Sequence, residues 1–284
     1  KYSSTSANIF TWPGIQLKDS TFHPILNTKE ILMSTSSRED LAQQLSRVTI
    51  DSRALDTDFA VNSCGDIVLL TNDGITVIYS TGESKDVMFP DTTESNVVER
   101  YNKSIAVDSN DNVYAVTRRV TFDKDSNLKF NHNYVLNVFD ENYNIKLVSV
   151  LDFFDGEEYR DVKIAVNKNQ NLIMSQYNKI NVTDNTGKLI SQFQRDGDPA
   201  RSLDISNNND IMVAPYGGGA VEIYTTKGNL KSSIKVPEDH EVIGMAFHHG
   251  IGKIIVLTRV RKSHSLILLG YSETGELENS VFLT

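Results

Sequence analysis

An all-β fold is predicted by three observations on this sequence of 284 residues. Six copies of one pattern recur along the chain, each a short apolar strand, a polar turn and a second apolar strand. The second strands begin at residues 31, 67, 113, 172, 211 and 254, so 36 to 59 residues separate successive starts. A third apolar strand and a turn follow most copies. Repeats of this length are typical of propeller blades, and the sequence therefore predicts a six-bladed β-propeller of four-stranded antiparallel blades.

The first two strands of each blade read as an apolar triplet, often ending in Asn or Asp, then a polar turn and a second apolar run. The clearest copies are Ile105–Asp108 before Val113–Val116 and Ile164–Asn167 before Leu172–Met174. The weaker copies are Ile25–Asn27 before Ile31–Met33, Phe59–Asn62 before Ile67–Leu70, Leu203–Ile205 before Ile211–Val213, and Met245–Phe247 before Ile254–Val256. Continuous apolar runs are expected because blades pack face to face and bury both sides of each sheet.

The third strand is another apolar run, followed by a turn that contains Gly or Asn and by the fourth strand. These third strands are Ile75–Tyr79, Tyr134–Phe139, Ile180–Val182, Val221–Tyr224 and Leu266–Leu269. With them, the repeat resembles the NHL-repeat propellers found at the C-terminus of tripartite-motif (TRIM) ubiquitin ligases, over about residues 22 to 284. The chain differs from that family in carrying Asn or Asp at most turn glycines. It also lacks the family's Asp-Arg or His-Arg pair before the third strand.

One closed domain is predicted, because propellers grow by adding blades and remain a single unit. The predicted blades are 22–57, 58–103, 104–161, 162–201, 202–242 and 243–284. Residues 1–21 are expected to complete the last blade, with Asn8–Trp12 as a strand beside Val281–Leu283, since such overlap removes exposed edge strands. The helical candidate Ser37–Leu45 is interpreted as an insertion between strands.

Composition and cysteine content indicate the cellular location in which the protein is expected to work. No stretch approaches the roughly 20 apolar residues of a membrane helix, and the N-terminus shows no signal segment. The only cysteine, Cys64, leaves no internal disulfide to form and favours a reducing compartment. We therefore expect a cytoplasmic location, with secretion as the alternative.

The candidate binding residues lie on the loops of one face. In a propeller, the turns between second and third strands share a face with the connections between blades, and function is expected on loops. Arginine and tyrosine concentrate there, at Arg118, Arg119, Arg160, Tyr177, Arg195, Arg201, Tyr216, Arg259 and Arg261. Because both residue types are enriched at protein contacts, we predict a recognition surface. Acidic residues in the same loops, among them Asp196 and Glu238, leave open an ordinary solvated surface.

No catalytic residue, metal ligand or cofactor site is predicted. Propellers of the gluconolactonase and senescence-marker type hold a divalent metal at the channel, but nothing near the start of this chain resembles the Glu-Gly-Pro that supplies their first ligand. Asp204 is the anomaly, because it replaces the small Ala found at positions 60, 106, 165 and 246. Its carboxylate either lines the channel and binds a cation or water, or is held by structural hydrogen bonds.

The sequence thus favours a non-enzymatic recognition module that binds a protein client through one loop face. The NHL resemblance implies recruitment of substrates to a ubiquitin ligase. An RNA client is the first alternative, although the net charge of −9 disfavours it because phosphate neutralisation drives RNA binding. A gluconolactonase-like metal-dependent hydrolase is the second.

Overall fold

The computed structural model describes residues 58–71, 73–90, 97–123, 129–154 and 161–283. These residues form five four-stranded antiparallel sheets, which we number blades 1 to 5 along the chain. Within the described residues, no helix is long and apolar enough to cross a membrane.

The strands have the following bounds. Blade 1 contains β1 (Phe59–Val61), β2 (Ile67–Thr71), β3 (Gly74–Ile78) and β4 (Ser84–Met88). Blade 2 contains β5 (Val97–Val107), β6 (Val113–Asp123), β7 (Lys129–Phe139) and β8 (Ile145–Val150). Blade 3 contains β9 (Val162–Val166), β10 (Leu172–Gln176), β11 (Lys179–Thr183) and β12 (Leu189–Gln194). Blade 4 contains β13 (Ala200–Ile205), β14 (Ile211–Pro215), β15 (Ala220–Tyr224) and β16 (Leu230–Lys235). Blade 5 contains β17 (His240–His248), β18 (Lys253–Val260), β19 (Leu266–Ser272) and β20 (Leu277–Leu283).

Each blade is a meander in which consecutive strands pair antiparallel. The first strands of successive blades lie side by side, β1 next to β5, β5 next to β9, β9 next to β13 and β13 next to β17. The first strands therefore line the central channel and the fourth strands lie at the periphery, which is the arrangement of a propeller.

Burial follows this radial order. Every residue of β10 and β14 is buried, whereas most residues of the peripheral strands β12 and β16 are exposed. Apolar clusters fill the space between neighbouring blades; one of them joins Phe89 of blade 1 to Phe139 of blade 2, with ring centroids 6.2 Å apart. The continuous apolar runs predicted for the second and third strands are thus explained by burial on both faces of the sheet.

A repeated turn connects the first and second strands. In blades 1 to 4, a side-chain oxygen of Asn62, Asp108, Asn167 or Ser206 accepts hydrogen bonds from backbone N–H groups two and four residues later, at 2.8 to 3.2 Å. The second strand then begins five residues after this acceptor. In blades 1 to 4, the polar residue that follows the first strand therefore stabilises the turn by hydrogen bonds to the backbone, and this accounts for its side chain without a ligand.

The predicted number of six blades is wrong, because the residues that the structure describes form a five-bladed propeller. The predicted blade at 22–57, the strand Asn8–Trp12 and the helix Ser37–Leu45 lie outside the described residues. The sequence already contains a reason to doubt that first repeat: Ile31 follows Asn27 by only four residues, one fewer than the turn of blades 1 to 4 requires. Blade 5 obtains its four strands from residues 240–283.

Candidate functional site

The loops predicted to share a face do meet in the structure. The backbone N–H of Ala200, the first residue of blade 4, donates to the carbonyl of Tyr177 in the turn between β10 and β11, at 3.2 Å. The N–H of Arg261, in the turn after β18, donates to the carbonyl of Asp239 in the connection into blade 5, at 2.8 Å. We call this side of the propeller the inter-blade face.

Arg118 and Arg119 lie within strand β6, not on an exposed loop as the sequence predicted. Arg118 is fully buried, its Nη2 donates to His132 Nδ1 at 2.8 Å, and its guanidinium lies 5.7 Å from the ring centroid of Tyr101. Arg119 is half-buried. Because β6 and β7 extend as one long hairpin, Arg118 packs inside it and is not presented to a partner.

Arg195 is also buried, with 2% of its surface exposed, which corrects its prediction as a surface residue. Its Nη1 contacts Glu222 Oε2 of blade 4 at 2.9 Å, and Nη2 donates to the carbonyl of Asp198. The residue directly after the fourth strand is Phe89, Leu151 and Val236 in blades 1, 2 and 4, where it fills the space between blades. Arg195 takes that position in blade 3 and is compensated by Glu222 from the next blade.

Three of the predicted residues do cluster over blades 3 to 5. Arg201 Nη1 contacts Glu241 Oε1 at 2.8 Å, and Arg259 Nη2 contacts Glu241 Oε2 at 2.7 Å. The guanidinium of Arg201 lies 5.3 Å from the ring centroid of Tyr216, whose hydroxyl donates to Asp161 Oδ2 at 2.7 Å. We call these five residues the rim network.

Glu241 holds the rim network together. Its hydrogen bond from Arg259, and then that from Arg201, keep the pKa of the Glu241 carboxyl below its usual value, against the opposing effect of burial. Because the rim network also contains the carboxylate of Asp161, its two guanidinium groups and two carboxylates leave it without net formal charge.

The remaining predicted residues flank the rim network. Tyr177 is 41% exposed and has a positive φ of 58° in its turn. Arg261 is exposed, and its Nη2 lies 3.4 Å from the carbonyl of Gly217. Arg160 lies outside the described residues. The structure thus brings Tyr177, Arg201, Tyr216, Arg259 and Arg261 to one part of the inter-blade face.

A cavity of about 280 Å³ lies at the central channel, where the first strands of all five blades meet. Its polar lining residues are Asp58, Ser104, Lys163, Arg201, Ser202 and Asp204. Its apolar wall comes mostly from blade 5, through Ile243, Met245, Ile255, Leu257 and Leu268.

Asp204 is held by backbone hydrogen bonds. Its Oδ2 accepts from the N–H of Phe247 in blade 5 at 2.7 Å, and its Oδ1 accepts from the N–H of Ile205 at 2.8 Å. Burial raises the pKa of this carboxyl to about 6, although both hydrogen bonds oppose the shift. Of the two roles considered for Asp204, the structure supports the structural one. Among the described residues, no group of three or more His, Cys, Asp and Glu side chains could hold a metal ion.

Sequence reasoning missed Glu241, Asp161 and Lys163. Glu241 and Asp161 were not singled out from the sequence, although Glu241 pairs with Arg201 and Arg259 and Asp161 accepts a hydrogen bond from Tyr216. Lys163 could have been found by aligning the innermost strands, because it stands where Asp58, Ser104, Ser202 and Gly244 stand in the other blades.

Comparison with sequence families adds nothing to this picture: no protein-family model matches the chain, and no curated protein sequence gives a significant match. The NHL and TRIM assignment is therefore not confirmed by a family match.

Comparison with solved structures supports the propeller fold. A protein of unknown function from Bacteroides caccae is 10% identical, with a TM-score of 0.57 over 79% of this chain and 80% of that chain. Virginiamycin B lyase from Staphylococcus aureus is 11% identical, with a TM-score of 0.47 over 78% of this chain and 82% of that chain. A catalytically inactive variant of that lyase with quinupristin is 14% identical, with a TM-score of 0.44 over 78% and 84% of the two chains. The likeness to the Bacteroides caccae protein, at a TM-score of 0.57 and 10% identity, shows the fold alone.

Proposed function

We propose that this propeller is a recognition module that binds a protein client on the inter-blade face over blades 3 to 5. The observation that carries the proposal is the rim network, which joins residues of three blades through hydrogen bonds and ion pairs of 2.7 to 2.8 Å. The NHL resemblance implies a more specific version of this proposal, in which the propeller recruits substrates to a ubiquitin ligase in the cytoplasm.

The rim network supports client binding because it holds contact residues in place before a partner arrives. The side chain of Arg259 is 43% exposed and Tyr216 is 37% exposed, so both remain accessible while their partners fix their rotamers. Ordering a free side chain at an interface costs about 0.5–1.5 kcal/mol. Arginine and tyrosine that are already ordered avoid much of this cost, and both are common energetic anchors.

An RNA client is less well supported. Arg118 and Arg195 are buried, and Arg201 and Arg259 share the carboxylate of Glu241, so little of the predicted positive charge is available to phosphates. A metal-dependent hydrolase is less well supported because the Asp204 carboxylate already accepts two backbone N–H groups.

Replacing Arg259 and Arg261 together by Ala should weaken capture of the client at least tenfold, about 1.4 kcal/mol, because truncated arginine anchors commonly cost that much. Folding should change little, since substitutions of exposed residues alter stability by about 0.5 kcal/mol each and Glu241 keeps Arg201 as a partner. Affinity capture with quantitative mass spectrometry, followed by calorimetry on the purified client, measures the first effect and thermal unfolding the second.

The matched control replaces Glu273 and Glu276 by Ala in the exposed turn between β19 and β20, at the opposite end of the blades. Capture should survive in this variant. Capture that fails in the control and persists in the arginine variant would contradict the proposal. So would a sequence-selective RNA ligand whose affinity falls by orders of magnitude between about 50 and 200 mM salt.

A further inference from the structure

One position of the innermost strands repeatedly joins a blade to the next one. Asp58 Oδ2 of blade 1 accepts a hydrogen bond from the backbone N–H of Ile105 in blade 2, at 3.3 Å. Ser104 Oγ of blade 2 accepts from the N–H of Ile164 in blade 3, at 3.2 Å, and Ser202 Oγ of blade 4 accepts from the N–H of Met245 in blade 5, at 3.2 Å. In these three blades, the side chain that faces the channel is used to hold the ring of blades together.

Lys163 of blade 3 occupies the same position and breaks the pattern. The register of the strands makes it equivalent, because Ile164 pairs with Met174 as Ile105 pairs with Ala115. An ammonium group donates hydrogen bonds and cannot accept one from the next blade. Within the part of the chain that the structure describes, no ion pair or hydrogen bond engages the Lys163 ammonium group. Lys163 is therefore a half-buried cation at the channel whose ammonium group does not contribute a hydrogen bond or ion pair to the fold.

The other charged groups of the cavity already have partners. Arg201 contacts Glu241, and Asp58 accepts hydrogen bonds from the N–H groups of Phe59 and Ile105 and from Ser104 Oγ. Asp204 accepts two backbone N–H groups. Lys163 is thus the charge of this cavity that a ligand can neutralise without breaking a contact of the fold.

The wall of the cavity supplied by blade 5 is apolar. Ile243, Met245, Leu257 and Leu268 line it, and the cavity volume of about 280 Å³ is close to the lower limit of pockets that hold small organic ligands. A cation beside an apolar wall in one cavity matches a ligand that carries a single negative group on an apolar body.

We infer that the channel cavity binds a small monocarboxylate, with the carboxylate on Lys163 and the apolar body against blade 5. Burying a carboxylate needs a charge partner and hydrogen-bond donors, and Lys163 supplies both. This site is separate from the proposed client surface, and the inference does not rest on client binding.

Hexanoate is a suitable test ligand because it combines a carboxylate with a short alkyl chain. Titration into protein with labelled methyl groups should shift the NMR signals of Ile243, Met245, Leu257 and Leu268, with a dissociation constant of about 1 mM, which a ligand of this size can reach. The Lys163→Met variant should bind hexanoate at least about tenfold more weakly, because a charge-assisted contact is lost.

Two controls make the test specific. Lys179→Met removes a half-buried lysine of the same blade that does not line the cavity, and it should leave the affinity unchanged. Hexanamide, which has the same shape without the charge, should bind wild-type protein at least about tenfold more weakly, a comparison that needs no variant. The inference is overturned if hexanoate shifts none of these methyl signals at about 50 times the expected dissociation constant. Equal affinity of Lys163→Met, or of hexanamide, would overturn it as well.

Discussion

Replacing Glu222 by Ala should lower the free energy of unfolding by about 3 kcal/mol, because it leaves the Arg195 guanidinium buried without its carboxylate. The Arg195 side chain has no exposed surface, whereas that of Glu222 is 23% exposed, which places the expected loss at the lower end of values for buried pairs. The carbonyls of Asp196 and Asp198 remain as acceptors but carry no charge to balance the guanidinium. Urea denaturation monitored by fluorescence measures the loss.

The double variant Arg195→Leu with Glu222→Leu is the control. Apolar residues occupy the position of Arg195 in blades 1, 2 and 4, as Phe89, Leu151 and Val236, so a leucine suits the space between blades 3 and 4. Replacing a buried ion pair by apolar residues is often neutral, and the double variant should recover at least half of the stability that Glu222→Ala loses. Equal losses in both variants would show that the pair is not the inter-blade contact described above.

Removing Asp204 should change how stability depends on pH. The pKa of its carboxyl is about 6 in the folded protein and 3.8 as the ordinary value, so the folded state binds more protons between these two values. A raised carboxyl pKa contributes stability below about pH 4, and that contribution is lost as the pH rises through 6. Wild type should therefore lose about 2 kcal/mol relative to Asp204→Ala between pH 4 and pH 7.

Asp184 provides a control of opposite sign. Burial acts to raise its pKa, but hydrogen bonds from Thr186 and Lys188 prevail and lower it, so its contribution to stability is lost as the pH falls. Asp184→Ala should therefore not reproduce the effect of Asp204→Ala in unfolding experiments across this pH range. A difference between wild type and Asp204→Ala that stays constant from pH 4 to pH 7 would contradict the account of Asp204.

The repeat was predictable because every blade buries both faces of its inner strands against neighbouring blades, which requires apolar residues at the same positions. Strands β2, β6, β10 and β14 begin at Ile67, Val113, Leu172 and Ile211, where the pattern predicted them. The pattern also predicted a polar turn before each of these strands, and Asn62, Asp108, Asn167 and Ser206 accept the hydrogen bonds of these turns. The number of blades was not predictable from apolar triplets alone, because Ile25–Asn27 and Ile31–Met33 match the triplets without the full turn between them.

The site was less predictable, for physical reasons that differ between residues. Arg118 and Arg195 looked exposed because loops were assigned wherever the apolar pattern ended, whereas β6 continues through polar residues to Asp123. Burial of an arginine depends on a partner that is remote in sequence, such as Glu222 for Arg195. Arg201, Tyr216, Arg259 and Arg261 lie on the inter-blade face as predicted, because the strand register fixes which strand ends and turns lie there, although Arg201 and Arg259 are within strands β13 and β18 and not on loops.

The most direct test of the proposed client surface is hydrogen exchange of this protein in complex with the client that affinity capture identifies. Protection should concentrate in residues 177–178, 216–219 and 261–265, the turns of the inter-blade face over blades 3 to 5, because a bound partner excludes water there. Turns at the opposite end, residues 207–210 and 272–276, should exchange at the same rate with and without the client. Protection of the opposite turns, with the inter-blade face unchanged, would contradict the proposal that the rim network is the binding surface.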